Sequence, residues 1–105
     1  MAQWDVHPNP NPRARDDLPY LVDIQSDLLS GLRTRLVVPC APALLAQPGL
    51  PRRMSPEFVV AGRRLLLVPQ EAGAIDVGAL PRPVASLRAQ SHLIVDALDA
   101  VISGV

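Results

Sequence analysis

A mainly β protein closed by one C-terminal amphipathic helix is the fold class this sequence predicts, on three observations. Apolar and polar residues alternate from Tyr20 to Gln25, a glycine sits between two β-prone runs at Ala61-Gly62-Arg63, and beyond Val84 the apolar spacing changes from two residues to three and four. The 105 residues read as one domain, 1–105, near the size where a single core just suffices, so pairing of two subunits is expected to bury more apolar surface. Apolar residues make up 49%, yet Trp4, Tyr20 and Phe58 are the only aromatics, so the core must be built mainly from Leu, Val, Ile and Ala.

Gln3 to His7 reads as a short first strand. Pro8, Pro10 and Pro12 then deny the backbone ladder donors and helical geometry, which makes Pro8 to Pro19 a loop. In the next strand Tyr20, Val22 and Ile24 fall on one side and Leu21, Asp23 and Gln25 on the other, the pattern of a half-buried antiparallel strand. Thr34 to Val38 is a third strand, stopped at Pro39. Ala41 to Gln47 contains good helix formers but also Pro42, and is expected to make at most one or two turns. Glu57 to Val60 and Arg64 to Pro69 flank the glycine turn as a tight hairpin. The run Leu65-Leu66-Leu67-Val68 is apolar on both faces and so belongs in the middle of a sheet or at an interface. Ala74 to Val77 is a weaker last strand before Pro81 and Pro83. From Val84 the helix follows Leu87, Ser91, Ile94, Leu98, Val101 and Val105, with Ser86 or Pro83 at its start and Ser103-Gly104 at its end.

Charge and motif content exclude several function classes. Ten arginines balance ten acidic residues with no basic block, which leaves no electrostatic footprint for a nucleic-acid backbone. Cys40 is alone, so neither an intrachain disulfide nor a cysteine-based zinc site can form, and it reads as a small buried hydrophobe at a strand end in a reducing cytoplasm. The opening residues lack the charged start and apolar run of a signal peptide, and no apolar stretch approaches the ~20 residues that span a bilayer. His7 and His92 accompany no metalloprotease, redox, phosphate-loop or hydrolase pattern, and read as a solvated loop histidine and a polar-face helix histidine. Asp16-Asp17 reads as a solvated cluster paired locally with Arg13 and Arg15. Asp23 and Asp27 are expected to tie the strand end to the following turn through side-chain-to-backbone bonds. No catalytic, metal or cofactor site is expected.

The stretch Leu21-Val22-Asp23-Ile24-Gln25-Ser26-Asp27-Leu28-Leu29, followed by Leu36-Val37-Val38-Pro39, Leu44-Leu45, the glycine hairpin and a final Ser103-Gly104-Val105, resembles the CcdB family of bacterial toxins. The resemblance covers nearly the whole length. It implies an SH3-like barrel of the CcdB/MazF type, assembled as a homodimer, and a protein that is not an enzyme. Members of that family poison DNA gyrase by wedging into the dimerisation region of its A subunit, and are neutralised by an antitoxin whose disordered C-terminal segment folds onto them. By position, the implied gyrase-binding residues are Leu28, Leu29, Asp99, Ile102, Ser103, Gly104 and Val105. Antitoxin contact is implied near Arg13 and Arg15 in the proline loop, where guanidinium groups suit an acidic peptide.

One position departs from the family pattern. The family motif ends in Trp-Gly-Ile, its indole stacking on a gyrase arginine, whereas this chain ends Ser103-Gly104-Val105. If that mode were used, replacing the indole with a hydroxymethyl group would cost about 2–4 kcal/mol, or roughly thirty- to a thousandfold in affinity. Two other function classes follow. One is a MazF/Kid-like endoribonuclease toxin, for which His7, Arg33 and Asp76 are residues of the right type at no diagnostic spacing. The other is a non-toxic relative that only binds antitoxin.

Overall fold

The nine-residue strand Thr34–Pro42 (β3) is the axis on which the other strands are hung. A computed structural model describes residues 2–45 and 49–104, and among these the chain forms seven strands and one α-helix. The remaining strands are β1 (Asp5–Pro8), β2 (Tyr20–Asp23), β4 (Glu57–Val60), β5 (Arg63–Leu67), β6 (Gly73–Asp76) and β7 (Ala85–Ser86), and the helix α1 is Ser91–Ser103. They form one antiparallel sheet in the order β4-β5-β3-β2-β1-β7, with β6 also on β3, curled into a nearly closed barrel.

β3 runs straight through Pro39, where the sequence suggested a stop. One flank of β3 pairs with β2 from Val37 to Cys40, while the other is shared between β6 on Thr34–Val37 and β5 on Cys40–Pro42. On that shared flank Pro39 falls between the two partners, so its missing N–H interrupts neither ladder, and its carbonyl accepts from Val68 N–H at 2.9 Å. Beyond Pro42 a single 3₁₀ turn, Ala43–Leu45, begins the predicted short helix, and Ala46 and Gln47 lie outside the described residues.

The other elements shift for similar local reasons. The first strand begins at Asp5 rather than Gln3, because Trp4 adopts a left-handed conformation (φ 76°) and bridges two segments: its N–H donates to Asp23 C=O and its C=O accepts from Leu87 N–H. Trp4 packs half-buried against the core. The expected hairpin is present, with Ala61 (φ 50°) and Gly62 (φ 76°) as a two-residue turn in which both central residues are left-handed. β5 lies between β4 and β3, which accounts for its run of leucines.

The helix starts seven residues later than Val84. Ala85 and Ser86 instead pair with Val6 and Asp5 as β7, and Ser86 Oγ accepts from Arg88 N–H at the start of a 3₁₀ turn ahead of α1. Gly104 ends α1 as expected, left-handed at φ 72° and donating its N–H to Ala100 C=O. The stripe buried by α1 is Ile94, Ala97 and Ala100; of the predicted face, Leu98 and Val101 are only half-buried, and Leu87 reaches the core from the segment ahead of the helix. Around Ile94 and Ala97 pack Val6, Val22, Val38, Phe58, Val60, Leu65 and Leu67, each large aliphatic contributing about 1.5–3 kcal/mol by its burial.

β2 is buried on both faces, not one. Tyr20, Val22 and Ile24 line the hydrocarbon core, but Leu21, Asp23 and Gln25 on the reverse face are also buried, beside Val37 and Arg35 of β3. His7, the register partner of Leu21, shares this reverse face and is fully buried rather than solvated, its Nδ1 2.7 Å from Pro81 C=O.

Three outcomes follow. Burial pushes the Cys40 thiol from near 9 up to about 12, so it should resist thiol reagents at pH 8 until the protein unfolds. The unfolded chain ionises this thiol first, so stability should be intact below pH 9 and fall by at most about 1.4 kcal/mol per pH unit as pH rises toward 12, an effect absent from Cys40→Ala. Replacing left-handed Ala61 by Asn should raise the urea-derived stability by about 0.5–1 kcal/mol.

Candidate functional site

The exposed end of β2 carries a step of leucines on a buried polar frame. Asp23 and Arg35 form an ion pair with side chains 0% and 2% exposed, the guanidinium Nε and a terminal nitrogen both 2.8 Å from one carboxylate oxygen. The other carboxylate oxygen accepts from Gln25 N–H at 3.0 Å. Gln25 then spans the loop that follows: its side-chain NH₂ donates to Leu29 C=O and Thr34 C=O, and its side-chain oxygen accepts from Leu36 N–H. One amide thus closes the excursion between β2 and β3 at both ends.

Within that excursion each polar residue of the Gln25-Ser26-Asp27 triplet holds a different strut. Ser26 Oγ accepts from Leu28 N–H and caps the single 3₁₀ turn Asp27–Leu29. Asp27 accepts from Gln3 N–H at 3.0 Å and lies 4.0 Å from Arg88, while the Gln3 side chain donates to Ile24 C=O. The expected tie between Asp23 and the following turn is present; Asp27 instead tethers the turn to distant segments. Leu28 is left 95% exposed, with Leu29, Leu32 and Leu36 each about half exposed beside it. Isolated exposed leucines are ordinary, but four within nine residues, three on the braced β2–β3 loop and Leu36 on β3, concentrate apolar surface in one stretch of the chain, as a partner site requires.

The helix end presents the other positions named from the sequence. Ile102 is 84% exposed, Asp99 and Gly104 are exposed, and Ser103 turns its hydroxyl back to donate to Asp99 C=O at 2.6 Å; Val105 lies outside the described residues. Among the described residues, the polar contacts of the leucine step with distant segments run to Gln3 and, through Arg88, to the segment ahead of α1, and none runs to the end of this roughly 20 Å helix.

Arg13 and Arg15 are exposed in the proline loop, with Arg15 Nε donating to Asn9 C=O. Asp16 and Asp17 are exposed too, but form no ion pair with them among the described residues, because the loop is ordered by Asn9 and Asn11 side-chain bonds to its own backbone. His92 is exposed on α1, and among the described residues no three His, Cys, Asp or Glu side chains cluster to hold a metal. No described helix is long and apolar enough to cross a membrane. Arg33 and Asp76 are neighbours across the β3–β6 ladder, where Val77 N–H donates to Arg33 C=O, whereas His7 is enclosed on β1.

Sequence reasoning missed Arg35, Leu32 and Leu36. A signal for Arg35 existed: once β2 and β3 pair, the position two residues before Val37 falls on the same face as Asp23 and Gln25, and a cation there has a carboxylate to meet. Removing one partner strands the other's charge. Arg35→Ala or Asp23→Ala should therefore lower unfolding free energy by about 3–5 kcal/mol in urea titration, whereas Leu28→Ser should change it by less than about 0.5 kcal/mol.

The protein-family model described as CcdB protein matches residues 3–104. Among solved structures, the Mycobacterium tuberculosis toxin MazF-mt6 is similar with a TM-score of 0.70 at 13% identity, over 94% of this chain and 96% of that one, a likeness of fold. No curated protein matches the chain in sequence.

Proposed function

Because this chain belongs to the CcdB family, we propose that it is the toxin of a type II toxin–antitoxin pair: a cytoplasmic homodimer that binds the A subunit of DNA gyrase and is neutralised by a partly disordered antitoxin. The observation that carries the reading is the leucine step. The residues that define the family-like stretch, Asp23, Gln25, Ser26 and Asp27, act as supports for Leu28 and Leu29, so the chain invests its buried polar groups in presenting an apolar contact. The gyrase-facing set is Leu28, Leu29, Asp99, Ile102, Ser103, Gly104 and Val105. Antitoxin docks near Arg13 and Arg15, whose exposed guanidinium groups suit carboxylates.

The action proposed is binding without catalysis. An endoribonuclease reading that draws on His7 is disfavoured by that residue's full burial, since its ring cannot reach an RNA phosphate or hydroxyl. Ser103 bonds its hydroxyl to its own helix and offers no aromatic face, so gyrase engagement in this chain rests on aliphatic contact.

Calorimetric titration of the folded protein against a gyrase A dimerisation fragment tests the reading. Binding is expected, weakened at least tenfold by Leu28→Asp and strengthened roughly thirty- to a thousandfold by Ser103→Trp. No heat at tens of micromolar with either the native chain or the tryptophan variant would exclude gyrase as the target and leave the non-toxic, antitoxin-binding relative.

A further inference from the structure

One side-chain nitrogen of the interior is left without a partner. Nε2 of His7 is closed off from solvent and meets no donor or acceptor among the described residues, while Nδ1 lies 2.7 Å from Pro81 C=O. A carbonyl can only accept, so Nδ1 carries the proton of the neutral ring and Nε2 holds a bare lone pair. A second proton would place a charge away from water and create an N–H with nothing to donate to. Both are costly in an interior.

The charged groups of the surrounding elements are engaged elsewhere. On β1, Asp5 lies two residues back on the same face and accepts from Ala2 N–H. Between β2 and β3, Asp23 is held by Arg35. On the segment that carries Pro81, Asp76 accepts from Gly78 N–H, and Arg82 is exposed. None of them bonds the ring. Residues 78–83 form a strap between two backbone anchors: Val77 N–H donates to Arg33 C=O and Val84 N–H to Val6 C=O, each at 2.8 Å. Gly78, Ala79, Arg82 and Pro83 are exposed, and the two prolines have no N–H to give. Among the described residues, the bond between His7 and Pro81 is the one hydrogen bond that ties residues 78–83 to a distant part of the fold.

From this geometry we infer that His7 is an acid-released latch, which pins the strap over the reverse face of the sheet while neutral and lets it lift when the ring takes a second proton. Only the lifted form brings Nε2 to water, so that form alone binds the extra proton. The closed form is therefore fully held above the ordinary imidazole value of about 6.5 and is released as pH falls below it. The strap's anchor, Arg33 C=O, lies between Leu32 and Thr34, whose own carbonyl is held by Gln25. Lifting thus loosens the far end of the leucine loop, whatever target that loop meets, and the latch does not depend on gyrase being the target.

Hydrogen exchange of the full isotope-labelled chain, corrected for the intrinsic pH dependence of amide exchange, tests the latch. Protection of the Val77 and Val84 amides should lie below the limit set by global unfolding in urea, and should fall about tenfold between pH 7.5 and pH 5.5. His7→Gln keeps a side-chain donor for Pro81 C=O but takes no proton in this range, and should abolish that fall. Should the variant not fold, the ring nitrogen NMR signals of the unsubstituted chain decide. At pH 7.5 they should show a proton on Nδ1 and none on Nε2, and on acidification the doubly protonated ring should appear only in step with the loss of Val77 and Val84 protection. A proton on Nε2 at pH 7.5, titration of the ring with protection unchanged, protection equal to the global limit at both pH values, or a tenfold fall that persists in His7→Gln would each overturn the inference.

Discussion

The buried ion pair between Asp23 and Arg35 is the constraint from which the rest of this molecule takes its geometry. Withdrawing two charges from water is costly, and the cost is offset here because the guanidinium Nε donates to the carboxylate, a terminal nitrogen lies in ion-pair contact with it and donates to Gln25 C=O, and the second carboxylate oxygen holds Gln25 N–H. Such a pair adds little net stability over a well-packed apolar pair, so its effect lies in what it forbids. A slip of one residue between β2 and β3 would carry Arg35 or Asp23 into the hydrocarbon face occupied by Val22 and Val38, separating the pair, and would break the bonds of the Gln25 side chain to Thr34 and Leu36. The register of the central strands and the position of the leucine step are thus fixed by one polar arrangement.

That arrangement also explains which parts of the fold were legible in the residues. Features governed by local backbone chemistry came through: the alternation in β2, the Ala61-Gly62 hairpin, the leucine run of β5 in the sheet interior, and the glycine that ends α1. Features governed by what packs over a segment did not. Pro39 reads as a stop because it cannot donate, yet it falls where β3 changes partners and no donor is needed. Residues 85 and 86 continue the helical spacing, yet β1 offers them a ladder, and the helix waits until that ladder ends.

The candidate site divides along the same line. Leu28 and Leu29 were named through the family resemblance carried by the Gln25-Ser26-Asp27 stretch before them, and the structure leaves both exposed on a 3₁₀ turn. The role of Gln25 could not be named, because its three partners, Leu29, Thr34 and Leu36, come together only after the loop has closed. His7 was misjudged for the opposite reason: next to three prolines it reads as loop, but the chain returning through Pro81 covers it on the reverse face of the sheet.

Magnitudes set a lower bound on the extent of any interface built on the step. Full burial of one exposed leucine contributes about 1.5–3 kcal/mol, so Leu28 and the exposed half of Leu29 together supply roughly 2–5 kcal/mol. A micromolar complex needs about 8 kcal/mol net, after an association cost of at least several kcal/mol. Two leucines are insufficient. Leu32 and Leu36 add further exposed leucine surface in the same stretch of chain, and Ile102 offers an exposed aliphatic side chain at the helix end. In a chain that has serine where an indole would concentrate the contact, affinity for any target must be gathered over this wider aliphatic surface. Each residue should then contribute a modest share, with no single dominant one, and that distribution is favoured by a scaffold held as rigidly as the Asp23–Arg35–Gln25 frame holds this one, because little ordering entropy remains to be lost on docking.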